Sequence, residues 1–162
     1  QGTEVQPPAR LAQRMNVAIV GSRDINVCSC DAQAKHWPPT PEEHAHAEVC
    51  PKVKVWLVIL KVVTRLASQG ATIYSTDNQE GTDKLAHDAA DMLGVPFKAL
   101  KLPAGRESTW ERANKRNTKL VEKADRVIAV VSPGDIRPGI VDLLQKAEAK
   151  GIPINEIGRA HV

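Results

Sequence analysis

At 162 residues, with 42% apolar and 25% charged residues, the chain has the size and balance of one globular domain with a buried core. A net charge of +3 and a pI near 8.8 permit nucleic acid as a partner without favouring it, because Lys and Arg do not gather into a basic run. Lys52, Lys54, Lys61 and Arg65 interrupt the best apolar run before it could span a membrane, and no signal peptide opens the chain, so a cytoplasmic protein with no membrane partner is expected.

The first fourteen residues, QGTEVQPPARLAQR, are polar and Pro-containing and read as a flexible N-terminal arm, which leaves 15–162 as a single domain. NVAIV (16–20) is a short β-branched strand that runs into Gly21. Residues 25–51 form an insertion. VKVWLVILKVVTRLASQG (53–70) would suit a strand by composition but is too long for one, so a buried helix closed by Gly70 is expected. ATIYS (71–75) is a strand, and GTDKLAHDAADMLG (81–94) a helix with Leu85, Ala89 and Leu93 along one stripe. VPFKALKL (95–102) is the third strand. In ESTWERANKRNTKLVEKA (107–124), a helix, Trp110, Ala113, Asn117, Leu120 and Val121 share a face. RVIAVV (126–131) is a strand, GIVDLLQKAEAK (139–150) a helix and IPINEI (152–157) a final strand.

Strands separated by helices of this length require right-handed crossovers. The predicted fold is therefore α/β, a Rossmann-like three-layer sandwich with a parallel sheet of about five strands and helices on both faces. Ligands of such sheets bind beyond the carboxyl ends of the strands. After the first strand stand Gly21, Ser22 and Arg23, which offer close backbone approach, a hydroxyl and a guanidinium suited to phosphate. After the second, TDNQEGTD (76–83) brings Glu80, Gly81, Thr82 and Asp83 to a helix N-terminus, a favourable place for an anion. After the fourth come Ser132, Pro133 and Gly134. Each is also ordinary turn or cap chemistry. Gathered at one edge of one sheet, they predict a ligand pocket.

The set VAIVGSRD, EGTDKLAHDAADMLG, a Trp followed by ANKRNTKLVEKADRVIAVV, and AEAKGIPI resembles the SLOG superfamily of Rossmann-like proteins. That superfamily takes in the DNA-processing Smf/DprA proteins and the lonely-guy phosphoribohydrolases, and the pattern is most similar to its YpsA-related branch. The resemblance covers most of 16–157 outside the insertion. It implies binding of a nucleotide or nucleotide-derived ligand, with Gly21, Ser22 and Arg23 in the first loop, Gly81 and Asp83 in the second, and Arg116 and Asn117 on the family's Arg-Asn pair. It also implies that Arg116 faces the phosphate or ribose, where the matching arginine of the phosphoribohydrolases is catalytic. The family's second-loop glycine pair is Asp77 and Asn78 here, and Glu80 adds a further carboxylate, so either the phosphate sits elsewhere or a cation such as Mg intervenes near Asp77 and Glu80. In SPGDIRPGIVDLL, Leu143 stands where the phosphoribohydrolase glutamate would, with Asp142 one residue away, about 100° around a helix.

The insertion holds Cys28, Cys30, His36, His44, His46 and Cys50, every cysteine of the chain and three of its five histidines. Three is an odd number, which argues against a disulfide framework. Four of the six side chains would close a tetrahedral Zn site, although the C-x-C and H-x-H spacings are not those of a common finger. A Pro-rich loop leading to a helix start, with Thr40 as cap and Glu43 at the third position, accounts for the same stretch without metal. A lid over the pocket is a third reading.

Three functions follow. The first is binding or sensing of a nucleotide-like small molecule. The second is cleavage of a nucleotide N-glycosidic bond by Arg116, Asp83 and Asp142. The third is binding of single-stranded DNA, for which 3% aromatic residues offer few stacking platforms. Because residues 53–66 are apolar on nearly all sides, a homodimer through this helix is also expected.

Overall fold

The computed structural model describes residues 15–22, 51–78, 81–131 and 137–158. The β-branched runs form the middle of a sheet: β1 (Asn16–Gly21) pairs on one side with β2 (Thr72–Thr76) and on the other with β4 (Arg126–Val131). The shorter β3 (Phe97–Leu100) and β5 (Ile154–Gly158) take the edges, giving five parallel strands in the order β3-β2-β1-β4-β5. Four helices join them, α1 (Pro51–Ser68), α2 (Gly81–Leu93), α3 (Thr109–Lys123) and α4 (Pro138–Ala149). The fold is the expected Rossmann-like three-layer sandwich.

Strand periodicity divides the core into two layers. From β1, Val17 and Ile19 point to the layer shared with α1 and α2, joined there by Ile73, Ile128 and Val130. Ala18 and Val20 point the other way, to Leu120 and Val121 of α3 and Leu143 and Ala147 of α4. α1 buries Val55, Trp56, Ile59, Val63 and Leu66 on one stripe, while Leu57, Leu60 and Val62 are half-buried against the same layer. On α2 the expected stripe is corrected: Leu93 is exposed, and the helix packs through Leu85, Ala86, Ala89 and Ala90. Leu93 is the last helical residue, and the alanines let the preceding turns sit close to the sheet.

None of the described helices is long and apolar enough to cross a membrane. Arg23, Glu80, Ser132, Pro133, Gly134 and the Cys/His set at 28–50 lie outside the described residues, as do the arm at 1–14 and all of the insertion but Pro51, which opens α1.

Candidate functional site

The chain steps outward from β1 to β2 and β3, then crosses back to place β4 on the opposite side of β1. The strand order therefore reverses between β1 and β4, and the crevice beyond their carboxyl ends is where a doubly wound sheet receives a ligand. A cavity of about 380 Å³ lies there, within the usual range for small-molecule sites.

Its floor is set by the end of β1. A Cβ on Gly21 would lie 2.0 Å from the Val130 carbonyl oxygen and 2.5 Å from Thr82 Oγ1, so only glycine lets β4 and the start of α2 close on this point. The Ser22 amide donates to the Val130 carbonyl (3.0 Å), and the Thr82 amide donates to the Ser22 carbonyl (3.1 Å). The Thr82 hydroxyl is buried and faces the Ser22 and Val130 carbonyls, each at 3.2 Å. Thr82 thus fastens the floor from behind and is not part of the lining, whereas Gly21 and Ser22 are. Gly81, in the left-handed region at φ 71°, turns the chain into α2 and also lies behind the lining.

Asp83 reaches the cavity from the first turn of α2, 6% exposed, with the Thr76 hydroxyl donating to its Oδ2. The Asn78 amide in turn donates to Thr76 Oγ1 (3.2 Å), which orders the end of β2. One wall is the beginning of α3, where Trp110, Ala113, Arg116 and Asn117 line the space. Ser108 caps this helix: its Oγ accepts from the Glu111 amide (3.1 Å) and the Glu111 carboxylate accepts from the Ser108 amide (3.3 Å). Trp110 is 44% exposed at the rim. The facing wall is the start of α4, with Arg137, Gly139, Ile140 and Leu143.

The expected candidates are thus separated by the structure. Gly21, Ser22, Asp83, Arg116 and Asn117 meet at one cavity. Asp142 is not among its lining residues; its carboxylate accepts from Lys146 Nζ (2.6 Å), Asn117 Nδ2 (3.0 Å) and Asn114 Nδ2 (3.3 Å) between α3 and α4. Among the described residues no group of three or more His, Cys, Asp and Glu is placed to hold a metal ion. The Zn ligand set and Glu80 of the Mg position lie outside the described residues.

Sequence reasoning missed Arg137, Thr76 and the apolar pair Ile140 and Leu143. Arg137 follows the Ser-Pro-Gly-Asp sequence by two residues, and reading the sequence through to the Pro138 helix start would have found it. With two guanidinium groups, one carboxylate, a rim indole and an apolar wall, the lining suits an anionic ligand with a flat apolar part. Comparison of the sequence with protein-family models gives no match, and comparison with curated proteins gives none either.

Proposed function

We propose that this cavity binds a nucleotide or nucleotide-derived ligand, and that the chain is a SLOG-type binding or sensing protein. The observation that supports it most is that Arg116 of α3 and Arg137, at the N-cap of α4, line the same cavity at the switch point, beside an exposed Trp110. A phosphate between the two guanidinium groups and a base against the indole would use the lining in full. A ligand present at about 100 times its Kd stabilises the folded state by about 2.7 kcal/mol, which for a domain of this size is a rise in Tm of about 5–11 °C. Thermal melts with millimolar AMP, GMP, CMP and UMP test this. Arg116→Ala is expected to abolish the rise, measured from the variant's own apo Tm because Arg116 is part-buried. No rise with any of the four, or an undiminished rise in the variant, would sink the reading.

Hydrolysis of an N-glycosidic bond is a second reading, favoured by one observation: Asp83 places a carboxylate, oriented by Thr76, in the cavity with Arg116. Chromatographic release of free base from a bound nucleotide, absent in Asp83→Asn, distinguishes it from binding alone. Single-stranded DNA is less well served, because Trp110 is the one exposed large aromatic side chain among the described residues. A homodimer through α1, whose Leu57, Leu60 and Val62 keep partly exposed apolar surface, remains part of the proposal and is tested by sedimentation at micromolar concentration. A cytoplasmic setting fits the odd cysteine count.

A further inference from the structure

Asp142 is not among the residues lining the cavity, yet its carboxylate accepts three side-chain hydrogen bonds. Asn117 donates from a single Nδ2 both to Asp142 Oδ2 (3.0 Å) and to the Gly139 carbonyl (3.1 Å), so one amide ties α3 to the first turn of α4 at two points. Lys146, one turn further along α4, donates to Asp142 Oδ1 (2.6 Å) and to Asn114 Oδ1 (3.2 Å), while Asn114 Nδ2 returns a bond to Asp142 Oδ1 (3.3 Å). These groups are shielded from water: Asn117 is 3% exposed, and the Asp142 and Lys146 side chains are 16% and 25% exposed. A shielded network of this kind holds its members in one geometry, since each lost bond leaves a polar group without a replacement.

The two helix segments that this network joins are the two walls carrying Arg116 and Arg137. α4 has no side-chain cap of its own at Arg137. Its first turn is instead braced from outside, by Asn117 at Gly139 and Asp142. Resting on the nucleotide reading for its binding consequence only, we propose that Asp142 is a positioning residue that holds the α4 wall, and with it Arg137, at a fixed distance from Arg116. Its role is to keep the two guanidinium groups preorganised for one anion, not to exchange a proton with the ligand.

Two measurements on the full chain test this. The first is amide hydrogen exchange of residues 139–143 in the apo protein. Asp142→Ala is expected to speed it about tenfold or more, and Asp142→Asn, which keeps an acceptor for Asn117, to speed it less. The second is AMP affinity by calorimetry in a double-mutant cycle. Asp142→Ala is expected to weaken binding about tenfold in the wild-type background and less than about twofold in the Arg137→Ala background, because placing Arg137 is what the carboxylate does. Unchanged exchange overturns the proposal. So does an equal loss of affinity in both backgrounds, which marks a general structural effect. If the wild-type protein does not bind AMP, the nucleotide reading is what has failed for this probe, and exchange at 139–143 alone decides whether Asp142 braces the wall.

Discussion

Gly21→Ala is the perturbation whose cost can be worked from the coordinates. The added methyl would stand 2.0 Å from the Val130 carbonyl oxygen, 2.5 Å from Thr82 Oγ1 and 2.9 Å from Thr82 Cβ, so relief to ordinary contact at 3.4 Å needs a movement of about 1.4 Å. The nearest atom is backbone and cannot swing aside. It belongs to the residue that pairs with Gly21 in the β1–β4 ladder, and it accepts the Ser22 amide at 3.0 Å. Overpacking of this kind costs about 1–3 kcal/mol, and losing one or two of the bonds at this junction adds about 1 kcal/mol each. The total, about 2–5 kcal/mol, lowers the Tm of a domain this large by about 4–20 °C. Gly139→Ala is the control: no atom lies within 4 Å of the added methyl, and α4 is already helical there, so the Tm should hold or rise by a degree or two. Thermal melts followed by circular dichroism give both Tm values, and urea titrations the corresponding free energies. A Gly21→Ala protein that melts within about 2 °C of wild type would refute the close approach of β1, β4 and α2 on which the cavity floor depends.

Ser108→Ala removes the side-chain half of the α3 capping box, leaving the backbone amide at 108 able to reach the Glu111 carboxylate, and should cost about 1 kcal/mol, a fall in Tm of about 2–4 °C with faster amide exchange in 109–111; an unchanged melt would show that the cap is idle. Glu107 has its pKa held below the ordinary 4.5, first by the side-chain hydrogen bond from Lys115, then by a hydrogen bond from its own backbone and by the Lys115 charge, while the hydrogen bond to Glu107 and its charge raise Lys115 above 10.5. A lowered carboxylate contributes fully above its unfolded pKa and loses that contribution as pH falls through the lower folded value, whereas the raised lysine loses its own as pH rises through the higher folded value. Both groups are solvent-exposed, so the effect is small and salt-sensitive. The Tm gap between wild type and Glu107→Gln should be steady near neutral pH, close below about pH 4.5 and shrink in high salt; a gap that grows in acid contradicts the sign.

Much of the fold was legible because strands and helices announce themselves by different periods. Val17/Ile19 against Ala18/Val20 alternates cleanly, and an eighteen-residue apolar stretch could not be a strand, so α1 was recoverable despite its β-branched content. The strand order was not recoverable, since nothing in a parallel strand's own residues says which neighbour it takes. The α2 stripe holds at Leu85 and Ala89 and fails at its end for a local reason: Ala86 and Ala90 complete the buried face, and Leu93, the last helical residue, is exposed. The Ser108–Glu111 capping box lay in plain view as S-T-W-E and set the start of α3 at Thr109, two residues after the expected one.

The site was harder to read because one helix face changes its use along its length. Trp110, Ala113, Asn117, Leu120 and Val121 lie on a single stripe by spacing, and packing alone would explain all five. Since α3 runs back across the sheet from its carboxyl edge, its first two turns overhang that edge, and there the stripe meets a cavity; from Leu120 onward it meets the core. Arg116 flanks the stripe just before the crossing point. A cation and an amide can therefore stand in this helix without cost to the core: the cation lines the cavity, and the amide, at the boundary, is occupied by Gly139 and Asp142. The same geometry explains why Asp142 is not among the lining residues it was expected to join. One residue's displacement from the expected glutamate turns a carboxylate away from the cavity and into the α3–α4 seam, where its partners Asn114 and Lys146 stand 28 and 4 residues away in sequence. The nearer of them, at i+4 on the same helix, was visible from spacing; the farther, like Asn117, becomes visible once the two helices are laid side by side.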